Sequence, residues 1–358
     1  MNKIKKLRNL IYKYKLNGLW LKKNSNFSWL FHGKGWISIS HELSCASILI
    51  TKDNIYVITN NIESKRLKKE ENVNFKIIEY NWFESEYNII KNIVKDINKI
   101  GTDFGFGFGI NVEIEIKKIR MVLEEEDIKL YKKSGNIVMR IFEETISQIS
   151  PKMTELEVAG NIYRNLQKEG FYSYVILVFS DDSRTKYRHN LPRNVQIGNR
   201  GFISICVTNG GPIISMTRSF LFIEDEDFIN QHRINAELEA KIINLTKKNI
   251  YLKDMFYDIK EIYKNIGFEK EFDKHHQGGI IGYDTREEIA QPNSKIKIEN
   301  NMAFCWNPTI TGTKSEDTFI LNQNDIDFIT WNKNSIWPVL SFDINGDIIT
   351  RPGVLKIR

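Results

Sequence analysis

Residues 306–318 read WNPTITGTKSEDT, and residues 275–288 read HHQGGIIGYDTREE. Each crowds histidine or tryptophan, glycine and charged residues into a short stretch, and each lies beside runs that alternate like β-strands. Two shorter segments of the same kind stand upstream, YRHNLP at 187–192 and SMTRSF at 215–220. Ordinary surface loops seldom carry such mixtures, so all four are candidate functional segments. The elements between them decide the fold.

A helical repeat of apolar residues runs over 125–149 and stops before Pro151. Thr154 and Glu157 form a capping box that opens a second helix to Glu169, which Gly170 ends. Strand-like runs follow at 174–180, 201–208 and around 212–223, then helices at 228–248 and 253–266, then strands near 302–306 and 318–321. Runs of strands set apart from pairs of helices predict an α+β domain, with helices backing a curved mixed sheet. The first 120 residues read as a smaller α/β unit. Its strands at 18–21, 46–51 and 55–59 alternate with helices at 61–71 and 84–97. The stretch GTDFGFGFG at 101–109 lacks the GxGxxG spacing and opens no helix, so it reads as turns near a domain boundary and not as a nucleotide loop. A chain of 358 residues exceeds what one core usually serves, and we place the domains at residues 1–120 and 121–358.

Composition excludes several classes. Hydrophobic residues make up 41% and charged residues 27%, enough apolar material for true cores. The net charge of +6 is mild for this length. The densest basic stretch, Lys3, Lys5, Lys6, Arg8, Lys13 and Lys15, is interleaved with Ile4, Leu7, Leu10, Ile11 and Tyr14 at helical spacing. It reads as a solvated amphipathic helix, not as a nucleic-acid or membrane surface. No apolar run follows it, and no stretch is long enough to span a membrane. Cys45, Cys206 and Cys305 are odd in number and far apart, and they form no metal or redox motif. The expectation is a cytoplasmic protein with no nucleic-acid or membrane partner.

In order and spacing, the four segments resemble the motifs of the pita-bread superfamily: methionine aminopeptidase, aminopeptidase P, prolidase and creatinase. The resemblance covers most of residues 125–340. Residues 1–120, with NFSWLFHG and TNNIESKRLKKEE, resemble the creatinase-type N-terminal domain. The combination of HHQGG, GY, RE and WNPxITGTKSEDT resembles a divergent branch. In the metal-dependent members, Asp, Asp, His, Glu and Glu hold two divalent ions. The resemblance carries those positions onto Ser204, Ser215, His276, Asn307 and Glu316. The family set brings four carboxylates, −4, against two dications, +4. Here one carboxylate, −1, would face +4, an imbalance costing several kcal/mol or more in a buried site. Hydroxyls and an amide are also poor bridging ligands. The substitutions therefore imply a degenerate metal site, no metal and no cofactor.

Creatinase implies a route without metal, in which a histidine moves the proton. The matching residue is His189, fifteen residues before Ser204. An imidazole titrates near neutrality and suits that work, although His189 could equally anchor the turn before Pro192. His276 is the second candidate. On an extended segment His275 would point the opposite way, and it stands as a further substrate contact. Arg286 and Arg218 could grip a substrate carboxylate, or serve as structural ion pairs. Glu287 is a possible contact beside Arg286. Glu316, followed by Asp317, could titrate high and act as acid or base, or could orient His276. Tyr283 falls seven residues after His276, where the family has another histidine, and could donate to an oxyanion. Period-two alternation turns Cys206 and Cys305 toward Ser204 and Asn307, as a thiol nucleophile or as packing. The aromatic segment FSWLFHGKGW at 27–36 is either domain core or a cover for the partner's pocket in the homodimer that the resemblance implies.

Three functions follow. The first is a metal-independent, creatinase-like hydrolase of a C–N bond in a small carboxylated substrate. The alternative is an Xaa-Pro aminopeptidase or prolidase-type metallopeptidase acting on short peptides. The third is a non-catalytic binding protein on the same scaffold.

Overall fold

The structure, a computed structural model, describes residues 2–323 and 325–358. The chain divides into two compact units, Met1–Met121 with Asn209–Pro212, and Val122–Thr208 with Ile213–Arg358.

The first unit alternates strands and helices. Its elements are α1 (Asn2–Lys13), β1 (Gly18–Lys23), α2 (Asn24–Phe31), β2 (Leu43–Ile50), β3 (Ile55–Asn60), α3 (Ser64–Glu70), β4 (Lys76–Tyr80), α4 (Glu86–Ile93), β5 (Ile100–Thr102), β6 (Ile110–Asn111) and α5 (Glu113–Arg120). One sheet has the order β4-β3-β2-β1-β5-β6. The glycine-rich stretch after β5 is an aromatic clamp. Phe106 stacks on Trp20 with centroids 4.1 Å apart, and Phe108 stacks on Phe106 at 5.1 Å. The glycines leave these rings room, and the segment packs against a cluster that includes Leu49 and Ile58 of the sheet and Ile90 of α4. Residues 27–36 are mostly α2 and its turn. Phe27, Trp29, Phe31 and Trp36 are all buried, so these aromatics are core of this unit and not an exposed cover.

The second unit opens with two capped helices, α6 (Glu125–Ile146) and α7 (Glu155–Lys168). The capping box expected at α7 is present: the Thr154 hydroxyl accepts from the Glu157 N–H, and the Glu157 carboxylate accepts from the Thr154 N–H. Then come β7 (Tyr172–Phe179), β8 (Arg200–Thr208), β9 (Ile214–Leu221), α8 (Glu226–Leu245), α9 (Leu252–Asn265) and the short α10 (Glu269–Phe272). The last third is all β: β10 (Gly278–Ile281), β11 (Glu288–Ile289), β12 (Met302–Trp306), β13 (Thr309–Ile310), β14 (Thr313–Lys314), β15 (Glu316–Asn322), β16 (Asp325–Phe328), β17 (Val339–Ile344), β18 (Asp347–Pro352) and β19 (Leu355–Lys356). The main sheet runs β11-β10-β12-β15-β9-β8-β7, with β16 against β15 and β19 against β9. Residues β13–β14 and β17–β18 form separate hairpins.

Every residue of β9 is buried, although ISMTRSFL holds Ser215, Thr217, Arg218 and Ser219. Alternation sorts these polar groups onto two faces. On one face Arg218 donates to Asp317 at 2.8 Å and Arg351 pairs with Glu239 at 2.7 Å and also with Asp317. Two guanidiniums and two carboxylates thus balance inside the protein, which is what makes their burial tolerable. Beside them, His232 Nε2 donates to the Pro352 carbonyl at 3.0 Å, and its Nδ1 faces the Ser219 hydroxyl at 3.3 Å. Burial lowers the His232 pKa to about 4 against that hydrogen bond, with Arg351 and Arg218 adding to the fall. The unfolded histidine, near 6.5, takes a proton that the folded one refuses. Stability conferred by neutral His232 is therefore full above about pH 6.5 and declines as pH falls toward 4, by about 3 kcal/mol there. Urea titrations from pH 7 to 4 should show this slope, and His232→Gln should flatten it. An unchanged slope in that variant would assign it to other groups.

Candidate active site

The site grows from three neighbouring strands. Ser204 and Cys206 lie two apart on β8, opposite Thr217 and Ser215 of β9, and Glu316 of β15 pairs in register with Thr217. All five side chains face the same way. Thr217 Oγ1 donates to Glu316 Oε2 at 2.7 Å, and Ser204 Oγ lies 2.6 Å from Thr217 Oγ1. Since the Thr217 proton is committed to the carboxylate, Ser204 is the donor of that second bond. Ser215 Oγ reaches the other carboxylate oxygen at 2.9 Å, and Cys305 Sγ lies 3.2 Å from it.

Two cations complete the shell of Glu316. Lys314 Nζ is 2.8 Å from Oε2 and Arg286 Nη2 is 3.4 Å from Oε1. Lys314 reaches in from the β13–β14 hairpin, whose turn uses Gly312 at φ 99°. Arg286 comes from the turn between β10 and β11, which Glu287 builds by accepting the N–H groups of Tyr283 and Asp284. Burial alone would raise the Glu316 pKa. The ammonium of Lys314 and the guanidinium of Arg286 outweigh it and hold the carboxyl well below the ordinary range. Glu316 is ionised at every physiological pH, and the raised pKa expected from neighbouring Asp317 is absent. Asp317 points to the opposite face, into the Arg218–Arg351 cluster.

A cavity of about 220 Å³ opens over this carboxylate. Its walls include Ser204, Ser215, His276, Asn307 and Glu316, so the five positions expected to be degenerate metal ligands do converge. His189, Thr285, Arg286, Lys314 and Cys206 line it too. Asn307 is buried, yet its Oδ1 has no hydrogen-bond partner among the described residues; neither has Arg286 Nε. His275 Nε2 lies 3.0 Å from His189 Nε2, and His275 Nδ1 donates to the His276 carbonyl. A neutral His275 must then accept through Nε2, so His189 donates to it and keeps Nδ1 as its basic atom. Desolvation, then the charge of Lys314, lowers the His189 pKa. Desolvation, then Arg286 and Lys314, lowers that of His276. Both rings are neutral at pH 7.

The family-model comparison fits this arrangement. Residues 129–325 match the model of metallopeptidase family M24, and residues 3–126 match that of the creatinase/prolidase N-terminal domain. The chain belongs to metallopeptidase family M24. This M24 chain is 22% identical over 322 residues to an uncharacterised peptidase of Methanocaldococcus jannaschii, covering 85% of this chain and 87% of that one. Among solved structures it resembles the prolidase of Pyrococcus horikoshii OT3 (TM-score 0.77, 17% identity, 93% of this chain and 99% of that one). It also resembles an Xaa-Pro dipeptidase of Bacillus anthracis (TM-score 0.77, 20% identity, 93% and 98%). The expected superfamily and the two-part fold, a creatinase-like N-terminal domain followed by a pita-bread domain, are those of this family.

Several M24-site expectations need correcting. Arg218 does not line the cavity; it is buried against Asp317 and lies over Trp331 and Trp337. Tyr283 gives its hydroxyl to Asp127 at 2.6 Å, away from the cavity, so it cannot serve an oxyanion there. Glu287 is a turn builder and not a substrate contact. His275 holds His189 and does not line the cavity, and its ring stacks on His276 at 4.4 Å instead of pointing opposite to it. Burial raises the Cys206 thiol to about 12 and lifts the Cys305 thiol well above its ordinary value, so neither is a thiolate. Sequence reasoning missed Lys314, Thr217 and Thr285. Lys314 had a signal: residues 314, 316 and 318 alternate, which puts the lysine on the face of Glu316.

Proposed function

We propose that this M24 chain hydrolyses a C–N bond in a small carboxylated, peptide-like substrate without a bound metal pair. The observation that supports it is the paired state of Glu316. The family implies two divalent ions, and the donors here are one carboxylate, two hydroxyls, one amide and one imidazole. The single carboxylate already carries Lys314 and Arg286. Among the described residues, no group of three or more His, Cys, Asp or Glu side chains stands where it could hold a metal ion. Such donors do not fit two dications. With both imidazoles neutral, Arg286 and Lys314 against Glu316 leave +2 − 1 = +1 in the cavity. That charge suits a substrate carboxylate. The partnerless Asn307 Oδ1 suits a substrate N–H. His189 accepts a proton from water through Nδ1, held by His275. The water oxygen bonds to the carbonyl carbon, the C–N bond breaks, and the nitrogen leaves with that same proton, delivered by His189 directly or relayed through neutral His276, which takes it up on one ring nitrogen before giving one from the other. Glu316 keeps Lys314 and Arg286 in place. The reading includes a cytoplasmic homodimer, supported by the creatinase-type N-terminal match; no helix among the described residues is long and apolar enough to cross a membrane.

The second reading, an Xaa-Pro metallopeptidase, is favoured by the likeness to a prolidase and an Xaa-Pro dipeptidase over nine-tenths of the chain. Elemental analysis separates the two. The metal-free reading expects well under one equivalent of transition metal after dialysis, and amide cleavage that chelator leaves unchanged. Two retained equivalents of manganese, cobalt or zinc, with activity lost to chelator and restored by metal, would establish the second.

A further inference from the structure

Beside the charged cavity lies a second hollow, of about 640 Å³, and the two share Val175, Leu177 and His189 as walls. Its lining is otherwise aliphatic and aromatic, with Tyr163 and Tyr174 among it and no charged side chain. Leu156, Tyr163, Val175 and Leu191 all turn toward it, yet they are 53%, 45%, 37% and 74% exposed. Four large apolar side chains left in water around one hollow mark a binding surface. A second observation comes from Gly160, which sits inside α7 on the wall of the same hollow. A helical interior glycine costs about 1 kcal/mol relative to alanine. A Cβ built on Gly160 would meet nothing within 4 Å, so packing does not require the glycine. It leaves that stretch of the wall without a side chain.

We propose that this groove holds the apolar acyl side of an N-acyl amino acid, whose carboxylate sits on Arg286 and Lys314. The proposal rests on the carboxylate-binding reading of the cavity. His189, the polar residue common to both walls, then stands beside the amide that joins the two halves. A substrate of this class is apolar at one end and anionic at the other, as the two hollows are apolar and cationic.

Calorimetric titration of the full chain with N-acetylglycine and N-octanoylglycine tests it. A buried methylene is worth about fourfold in affinity, and with half of the six added methylenes buried the octanoyl compound should bind about 50-fold more tightly. Gly160→Phe fills the groove and should reduce that ratio to less than about fivefold. Gly160→Ala should keep the ratio and fold at least as stably. Equal binding of both ligands by the native chain would overturn the groove while leaving the cationic cavity intact. A ratio that survives Gly160→Phe would place the acyl chain elsewhere and overturn it too. Binding of neither ligand would overturn the cavity reading, and the groove with it.

Discussion

Replacing Glu316 by glutamine should cost about 3–5 kcal/mol of stability, the range for removing one partner of a buried ion pair. The carboxylate is 2% exposed and is the charge partner of two cations, one of them only 6% exposed. Glutamine preserves size and can still accept from Thr217 or Ser215. It cannot offset the ammonium of Lys314 or the guanidinium of Arg286, which would remain in low dielectric. Urea denaturation reads the loss directly. Adding Lys314→Met to Glu316→Gln should recover a good part of it, because the more buried unpaired charge is then gone. A loss below about 1 kcal/mol in the single variant would show that Lys314 and Arg286 find water or other partners, and that the ion cluster is not what closes the site.

Turnover should depend as steeply on the histidines. His189→Ala and His276→Ala are each expected to lower kcat on an amide substrate by about 100-fold or more, within the range for proton transfer by a placed side chain. His275→Ala should cost less, because it acts through the orientation of His189, and it should change kcat more than KM. Free imidazole added to His189→Ala should restore part of the rate, since the missing group is small and lies at the cavity mouth. Near-native kcat in either His189→Ala or His276→Ala would end the histidine mechanism. Rescue by divalent metal, instead of imidazole, would favour the metallopeptidase.

Much of the fold was legible because its signals are local. The Thr154–Glu157 box, the stop at Gly170 (φ 74°) and the alternation along β8 each need only a few neighbouring residues. The site was half legible for the same reason. The family resemblance placed Ser204, Ser215, Asn307 and Glu316 together, and they sit on or beside regular strands, where short-range alternation sets the face each presents. The two adjacent histidines were misread because alternation requires an extended backbone. The chain enters β10 only at Gly278, with φ 97°, where a Cβ would lie 2.2 Å from the Cys305 carbonyl oxygen. Before that twist the imidazoles stack. Arg218 was misread although its parity was available: if Ser215 and Thr217 face the cavity, residue 218 faces away. Its true partners, Asp317 and the Thr330 carbonyl, lie 99 and 112 residues along the chain, beyond the reach of any local pattern.

Lys314 also constrains the routes by which this site could change. Restoring aspartate at Ser204 or Ser215 one step at a time would add a carboxylate next to Glu316 while the lysine still occupies its side of the cluster. Neither step alone would yield a two-ion site, and removing the lysine first would leave Glu316 short of its main counter-charge. On the metal-free reading, a two-ion site therefore needs several replacements at once, each unrewarded alone, so the hairpin lysine acts as a ratchet and has to be varied together with Ser204 and Ser215 in any attempt to build a metal site here.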